Sequence, residues 1–138
     1  MLVTKILYIK RTASRNFIIV DAAMNDFIRP SFYDAYHEII PEKEAIPATP
    51  TLVADIVGPV CETGDIFAEQ RIIPEAEVGN LLIFRSTGAY GAVMASTYNS
   101  RLLVPEVLVK GDQFAVIRPR PTYEDMLRQE IMPDWLKS

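Results

Sequence analysis

Residues 2–20 read LVTKILYIKRTASRNFIIV, and this stretch decides the fold class. Residues 2–10 are rich in β-formers and mostly apolar, with charges only at Lys5 and Lys10. Polar residues 11–16 follow, and then Phe17 to Val20 form a second apolar run. Two short β-prone runs around a polar loop read as a hairpin. Working outward, Thr51–Val57 reads as a strand that stops at Gly58 and Pro59, and residues 80–85 as one that stops at Ser86, Thr87 and Gly88. Residues 104–110 and Gln113–Arg118 flank Gly111-Asp112, and a glycine first in a two-residue loop predicts a type II′ hairpin turn. In residues 24–36, Asn25 or Asp26 is placed to cap a helical turn that Pro30 keeps brief. Residues 38–50, rich in Pro and Glu, read as a surface loop. Pro121, Thr122 and Asp125 announce a helix over 123–131, ahead of Pro133. Short strands punctuated by Gly and Pro, with one late helix, predict a mainly β barrel or sandwich with a short C-terminal helix.

The chain has 138 residues, which suits a single domain over 1–138, and 49% hydrophobic residues supply its core. A net charge of -4, spread without basic runs or an acidic tail, argues against a nucleic-acid partner. The single cysteine, Cys61, excludes an intrachain disulfide and fits a reducing compartment. No apolar run approaches the roughly 18 residues that span a bilayer. Residues 2–9 are too short for a signal segment and are interrupted by Lys5. A cytoplasmic protein is expected.

Three segments are dense in polar groups, each at or just past a strand end, where loops hold site residues on a rigid scaffold. They are residues 21–37 (DAAMNDFIRPSFYDAYH), residues 58–65 (GPVCETGD), and residues 88–100 (GAYGAVMASTYNS). Taken singly, each residue has a plain reading. Arg29 beside Pro30 can be a surface cation. Cys61 is more often a small core hydrophobe than a reactive thiol. Tyr90 between glycines can cap a turn. His37 has no second histidine, which argues against a metal site. Ser96 and Ser100 have no histidine partner in motif context, which argues against a hydrolase triad.

Together, in this order and spacing, the segments resemble the C-terminal part of the diaminopimelate decarboxylase family, in the alanine-racemase-like class of pyridoxal-phosphate enzymes. The resemblance runs from about Leu2 to the end. Cys61-Glu62-Thr63-Gly64-Asp65 is close to the family's Cys-Glu-Ser-Gly-Asp motif, and only Thr63 departs. The resemblance implies decarboxylation of meso-diaminopimelate to L-lysine. It also implies a homodimer in which a β domain completes a site whose pyridoxal phosphate is held by an N-terminal (β/α)8 barrel. By the same resemblance, Arg29 and Tyr33 hold a substrate carboxylate, Glu62 holds the distal ammonium, and Cys61 is the candidate proton donor. Cys61 and Glu62 would serve the partner subunit's site, and Tyr90 would stand beside the cofactor. Asp65, Asn99 and Arg101 resemble scaffold for these loops.

The cofactor's lysine is missing. The chain's five lysines are Lys5, Lys10, Lys43, Lys110 and Lys137, and none matches the anchor of this family, nor is its glycine-rich phosphate loop present. Such chemistry needs a lysine kept reactive by partial desolvation. The isolated chain is therefore expected to be inactive. Two rivals stand beside this reading. One is an ornithine- or arginine-type decarboxylase domain, which usually carries Asp after the cysteine. The other is a non-catalytic β module that binds or regulates.

Overall fold

Along Leu2–Arg11, Thr4 and Ile6 turn inward while Val3, Lys5 and Leu7 face outward, the period of two of a half-buried strand. This is β1. It pairs antiparallel with β2, Asn16–Val20, setting Ile9 opposite Ile18 and Lys10 opposite Phe17. The hairpin read from residues 2–20 is present. Its turn is closed by Thr12, whose hydroxyl accepts from the Arg15 amide at 3.0 Å. The structure is a computed structural model that describes every residue except Glu44, Ala45, Pro47, Lys137 and Ser138, together with all side chains but that of Ala89. The chain divides into two compact units, Met1–Ser96 and Thr97–Ser138.

In the first unit the helix α1 is Arg29–Tyr33, and the strands β3 to β6 are Ile39–Pro41, Thr51–Val57, Ile66–Pro74 and Leu81–Phe84. A second helix, α2, is Gly88–Met94. The six strands form one sheet in the order β3-β6-β1-β2-β4-β5. Its two edges approach each other, since Arg71 on β5 donates from Nη1 to the carbonyl of His37, just ahead of β3, at 3.0 Å. The sheet is thus a nearly closed barrel, as the strand pattern predicted. Inside lie Ile6, Ile18, Val20, Phe27, Ile56, Leu82 and Phe84, all at most 1% exposed. Phe67 on β5 meets Phe84 on β6 with ring centres 4.8 Å apart. Each such side chain contributes roughly 1.5–3 kcal/mol by leaving water.

Parts of the unit depart from the sequence reading. Residues 38–50 were expected to be loop throughout, yet Ile39 pairs with Phe84 and Ile40 with Ile83 as β3. Ile39, only 7% exposed, completes the core at that edge. Neither Asn25 nor Asp26 caps α1. The helix starts from Ile28, with Pro30 in its first turn, where a missing N–H does no harm.

Strand direction matters most for the site. β2 and β4 run parallel. β6 is antiparallel to β1, as β2 is, so β2, β4 and β6 all point one way. The three polar segments follow these three strands, so all leave from the same end of the barrel. Topology alone gathers them.

The second unit carries the hairpin of β7, Glu106–Lys110, and β8, Gln113–Arg118, with Lys110 opposite Gln113. Gly111 has φ +62° and Asp112 is not positive, the pattern of the predicted type II′ turn. The helix α3, Tyr123–Leu127, begins at a full capping box, in which Thr122 and Asp125 each accept from the other's backbone N–H. It ends before the 131 expected. The backbone N–H of Thr122, and then its hydroxyl, hold the Asp125 carboxyl below the usual carboxylate range. A depressed folded-state pKa contributes stability above the ordinary value and loses it as pH falls through the folded one. Acid titration below the usual carboxylate range should therefore fray the first turn of α3. Amide shifts of Thr122 and Asp125 that stay constant down to complete carboxyl protonation would contradict this.

Candidate active site

After β2 the chain turns sharply, and Asp26 accepts from the Ala23 amide at 2.9 Å through its carboxylate. Phe27 then drops into the core at 0% exposure, its ring edge-on to His37 with centres 4.6 Å apart. This plants the start of α1 on the barrel's end. Ser31 ties the helix down by donating to the Ile66 carbonyl at 3.1 Å. Asp34, at φ +52°, stops the helix and returns its N–H to the Arg29 carbonyl. The aromatic residues Phe32, Tyr33 and Tyr36 are left exposed.

Arg29, half-buried, projects between two tyrosines. Its guanidinium carbon lies 5.1 Å from the Tyr90 ring centre and 6.0 Å from that of Tyr33. Such contacts at exposed sites are worth about 0.5–1 kcal/mol and hold the planar fork in one orientation. Tyr90 reaches Arg29 from α2, where it sits mid-helix and does not cap a turn. A groove opens between α1 and β5, lined among others by Tyr33, Tyr36, Gly64, Phe67 and Arg71. Arg71 covers the Tyr36 ring at 4.3 Å. Gly64 brings the second polar segment to the same groove that Tyr33 lines from the first.

Cys61 and Glu62 are exposed at the crest of the loop between β4 and β5. The loop is internally bonded: the Glu62 amide donates to the Val60 carbonyl at 2.8 Å, and Asp65 to the Glu62 carbonyl at 3.1 Å. The Gly64 amide reaches Glu62 Oε1 at 3.3 Å. The structure brings Arg29, Tyr33 and Tyr90 into one cluster and sets Cys61 and Glu62 on the neighbouring loop.

Sequence reasoning missed Asn25. It is 1% exposed, its side-chain amide donates to the Ser96 carbonyl at 3.2 Å, and its main-chain carbonyl accepts from the Ser96 amide at 2.9 Å. Asn25 thus clips the first polar segment to the third. Nothing in a Met-Asn-Asp turn separates such a buried clip from an exposed polar residue. His37 is packed at 8% exposure, and its Nδ1 donates to the Arg85 carbonyl at 3.1 Å.

With this geometry in place, the profile described as "Pyridoxal-dependent decarboxylase, C-terminal sheet domain" matches residues 1–88. The chain belongs to this family. A diaminopimelate decarboxylase from Zymomonas mobilis is 52% identical over 136 residues, covering 99% of this chain and 32% of that protein. A solved diaminopimelate decarboxylase from M. jannaschii in complex with L-lysine has a TM-score of 0.88 at 37% identity, over 97% of this chain and 30% of that one. The Paramecium bursaria Chlorella virus arginine decarboxylase bound to agmatine has a TM-score of 0.65 at 16% identity, over 71% of this chain and 27% of that one, and so shares the fold. The chain spans about a third of the length of the relatives it matches. Among the described residues, this pyridoxal-dependent decarboxylase sheet domain offers no protected lysine. Lys5, Lys10, Lys43 and Lys110 are all exposed, and no lysine lines the groove. The described residues offer pyridoxal phosphate an aromatic and cationic surface in Tyr33, Tyr90 and Arg29, but no anchor lysine.

Proposed function

We propose that this chain is the C-terminal β domain of a pyridoxal-phosphate-dependent diaminopimelate decarboxylase. In it residues 1–138 complete the substrate site for conversion of meso-diaminopimelate to L-lysine. The observation that carries the reading is the gathering of the three polar segments at one barrel end, with Arg29 between Tyr33 and Tyr90. Relatives named diaminopimelate decarboxylase, 40–52% identical over 94–99% of the chain, support it. The working enzyme is a cytoplasmic homodimer whose N-terminal (β/α)8 barrel holds the cofactor. When bound, the cofactor supplies an electron sink for the pair left behind by carbon dioxide.

This chain's residues do the rest. The Arg29 fork meets both oxygens of a carboxylate, and the Tyr33 hydroxyl adds a donor. Glu62 offers a carboxylate to the substrate's distal ammonium. Cys61 carries a transferable proton for the reacting carbon. Tyr90 keeps Arg29 oriented, and its exposed ring would stand beside the cofactor. The test is direct. The full-length protein containing this chain should release carbon dioxide from meso-diaminopimelate with pyridoxal phosphate present, and the isolated chain should not. Turnover by the isolated chain, with a stoichiometric borohydride-fixed adduct on one lysine, would overturn the assignment.

Arg29→Lys in the full-length protein keeps the charge and loses the fork. Hydrogen bonds to charged groups are worth roughly 1.5–3 kcal/mol, so kcat/KM should fall by about one to two orders of magnitude. The melting temperature should hardly change. A collapse in stability with normal activity per folded molecule would make Arg29 structural.

A further inference from the structure

We infer that Asp65 is a positioning residue that locks the loop carrying Cys61 and Glu62 to the backbone leading into Arg29, so that the pair this chain lends to the partner subunit's site and the Arg29 of its own site are held as one unit. The inference rests on the roles just proposed for those three residues. Asp65 is 3% exposed. Its two carboxylate oxygens serve different parts of the chain. Oδ1 accepts from the Met24 amide at 2.7 Å, in the turn after β2. Oδ2 accepts from the Val60 amide at 2.8 Å, immediately before Cys61. The main chain closes the same ring, since Gly58 donates to the Asp65 carbonyl at 2.9 Å. Only a residue without a side chain fits at 58, where a Cβ would stand 2.2 to 2.5 Å from the carboxylate atoms.

Bonds from amides to a buried carboxylate are short and strong, and the low local dielectric strengthens them further. Asparagine keeps the shape but turns one oxygen into a donor facing an N–H, so one of the two links must break. Alanine opens both. A substrate held by Arg29 of one subunit and Glu62 of the other needs the Cys61–Glu62 loop at a fixed place on the barrel's end. Loosening the lock should therefore fall on substrate binding more than on the chemical step.

The experiment compares the full-length protein with its Asp65→Asn and Asp65→Ala variants. KM for meso-diaminopimelate should rise about tenfold or more while kcat falls less. The alkylation rate of Cys61 by iodoacetamide, followed by mass mapping, should change severalfold. A folded variant with KM and alkylation both within twofold of the parent would overturn the inference. If neither variant folds, amide hydrogen exchange of the unmutated protein decides. Met24 and Val60 should be protected together, and exchange of either at its free-peptide rate would overturn the lock. Absence of decarboxylation by the unmutated full-length protein would instead overturn the functional reading. The alkylation and exchange readings bear on Asp65 alone.

Discussion

Phe27→Ala is expected to lower stability by about 3–5 kcal/mol, the range for removing a fully buried phenylalanine. The side chain is 0% exposed and lies at a junction. Its ring meets His37 ahead of β3, and a Cβ built on Gly91 of α2 would come within 3.7 Å of it. Alanine leaves a void beside His37 and beneath α2, and the packed shell of the barrel closes it only in part. The loss should reach the site as well, because Arg29 follows two residues later and Tyr90 rides on α2. Urea unfolding gives the stability change, and ring shifts of Tyr33 and Tyr90 report the cluster. A midpoint shift equivalent to under about 1 kcal/mol would mean that the site does not lean on this residue.

Gly58→Ala should be nearly as damaging, at roughly 2–4 kcal/mol, combining overpacking with a broken buried hydrogen bond to a carboxylate. The obstacle is the Asp65 carboxylate, 2.2 Å from where the methyl would sit. That carboxylate cannot swing aside, because the Met24 and Val60 amides grip it from two directions. The loop must move instead. A thermal melt would show the loss as a drop of roughly 10–25 °C for a unit of this size. A variant melting within a few degrees of the parent would show that the loop adjusts freely, contrary to its bonding.

What the sequence made legible follows from how strongly each element signals locally. β4 and β8 lie where their apolar runs meet Gly or Pro, and α3 starts where Thr122 and Asp125 announce it, because those signals are short-range. β5 was hidden. Its centre reads Glu69-Gln70-Arg71, and Gln70 takes φ +43° opposite a register shift in β4, so the alternation that betrays a strand is broken there. β3 lies in a Pro-rich stretch and becomes a strand only because β6 offers it an edge. α2 carries no local helix signal, since Gly88 and Gly91 are poor helix formers. α2 packs over Phe27, a tertiary contact that no local pattern carries. Arg29, Tyr33, Cys61, Glu62 and Tyr90 were picked out by resemblance. Their common location needed the strand directions, which depend on pairings between residues far apart in the chain.

The same pairings set the order in which the unit can be assembled on the ribosome. β1 is the hub of the sheet, yet its second neighbour, β6, is made only after about sixty further residues. At about 5–20 residues per second, translation leaves the newly made β1–β2 hairpin with a bare hydrogen-bonding edge for several seconds. An open edge bearing Val3, Leu7 and Tyr8 is a template for pairing with other chains. Lys5, Lys10 and Arg11 on that strand are charges that oppose it, so replacing the two lysines by apolar residues should lower the soluble yield during synthesis far more than the stability of the finished barrel.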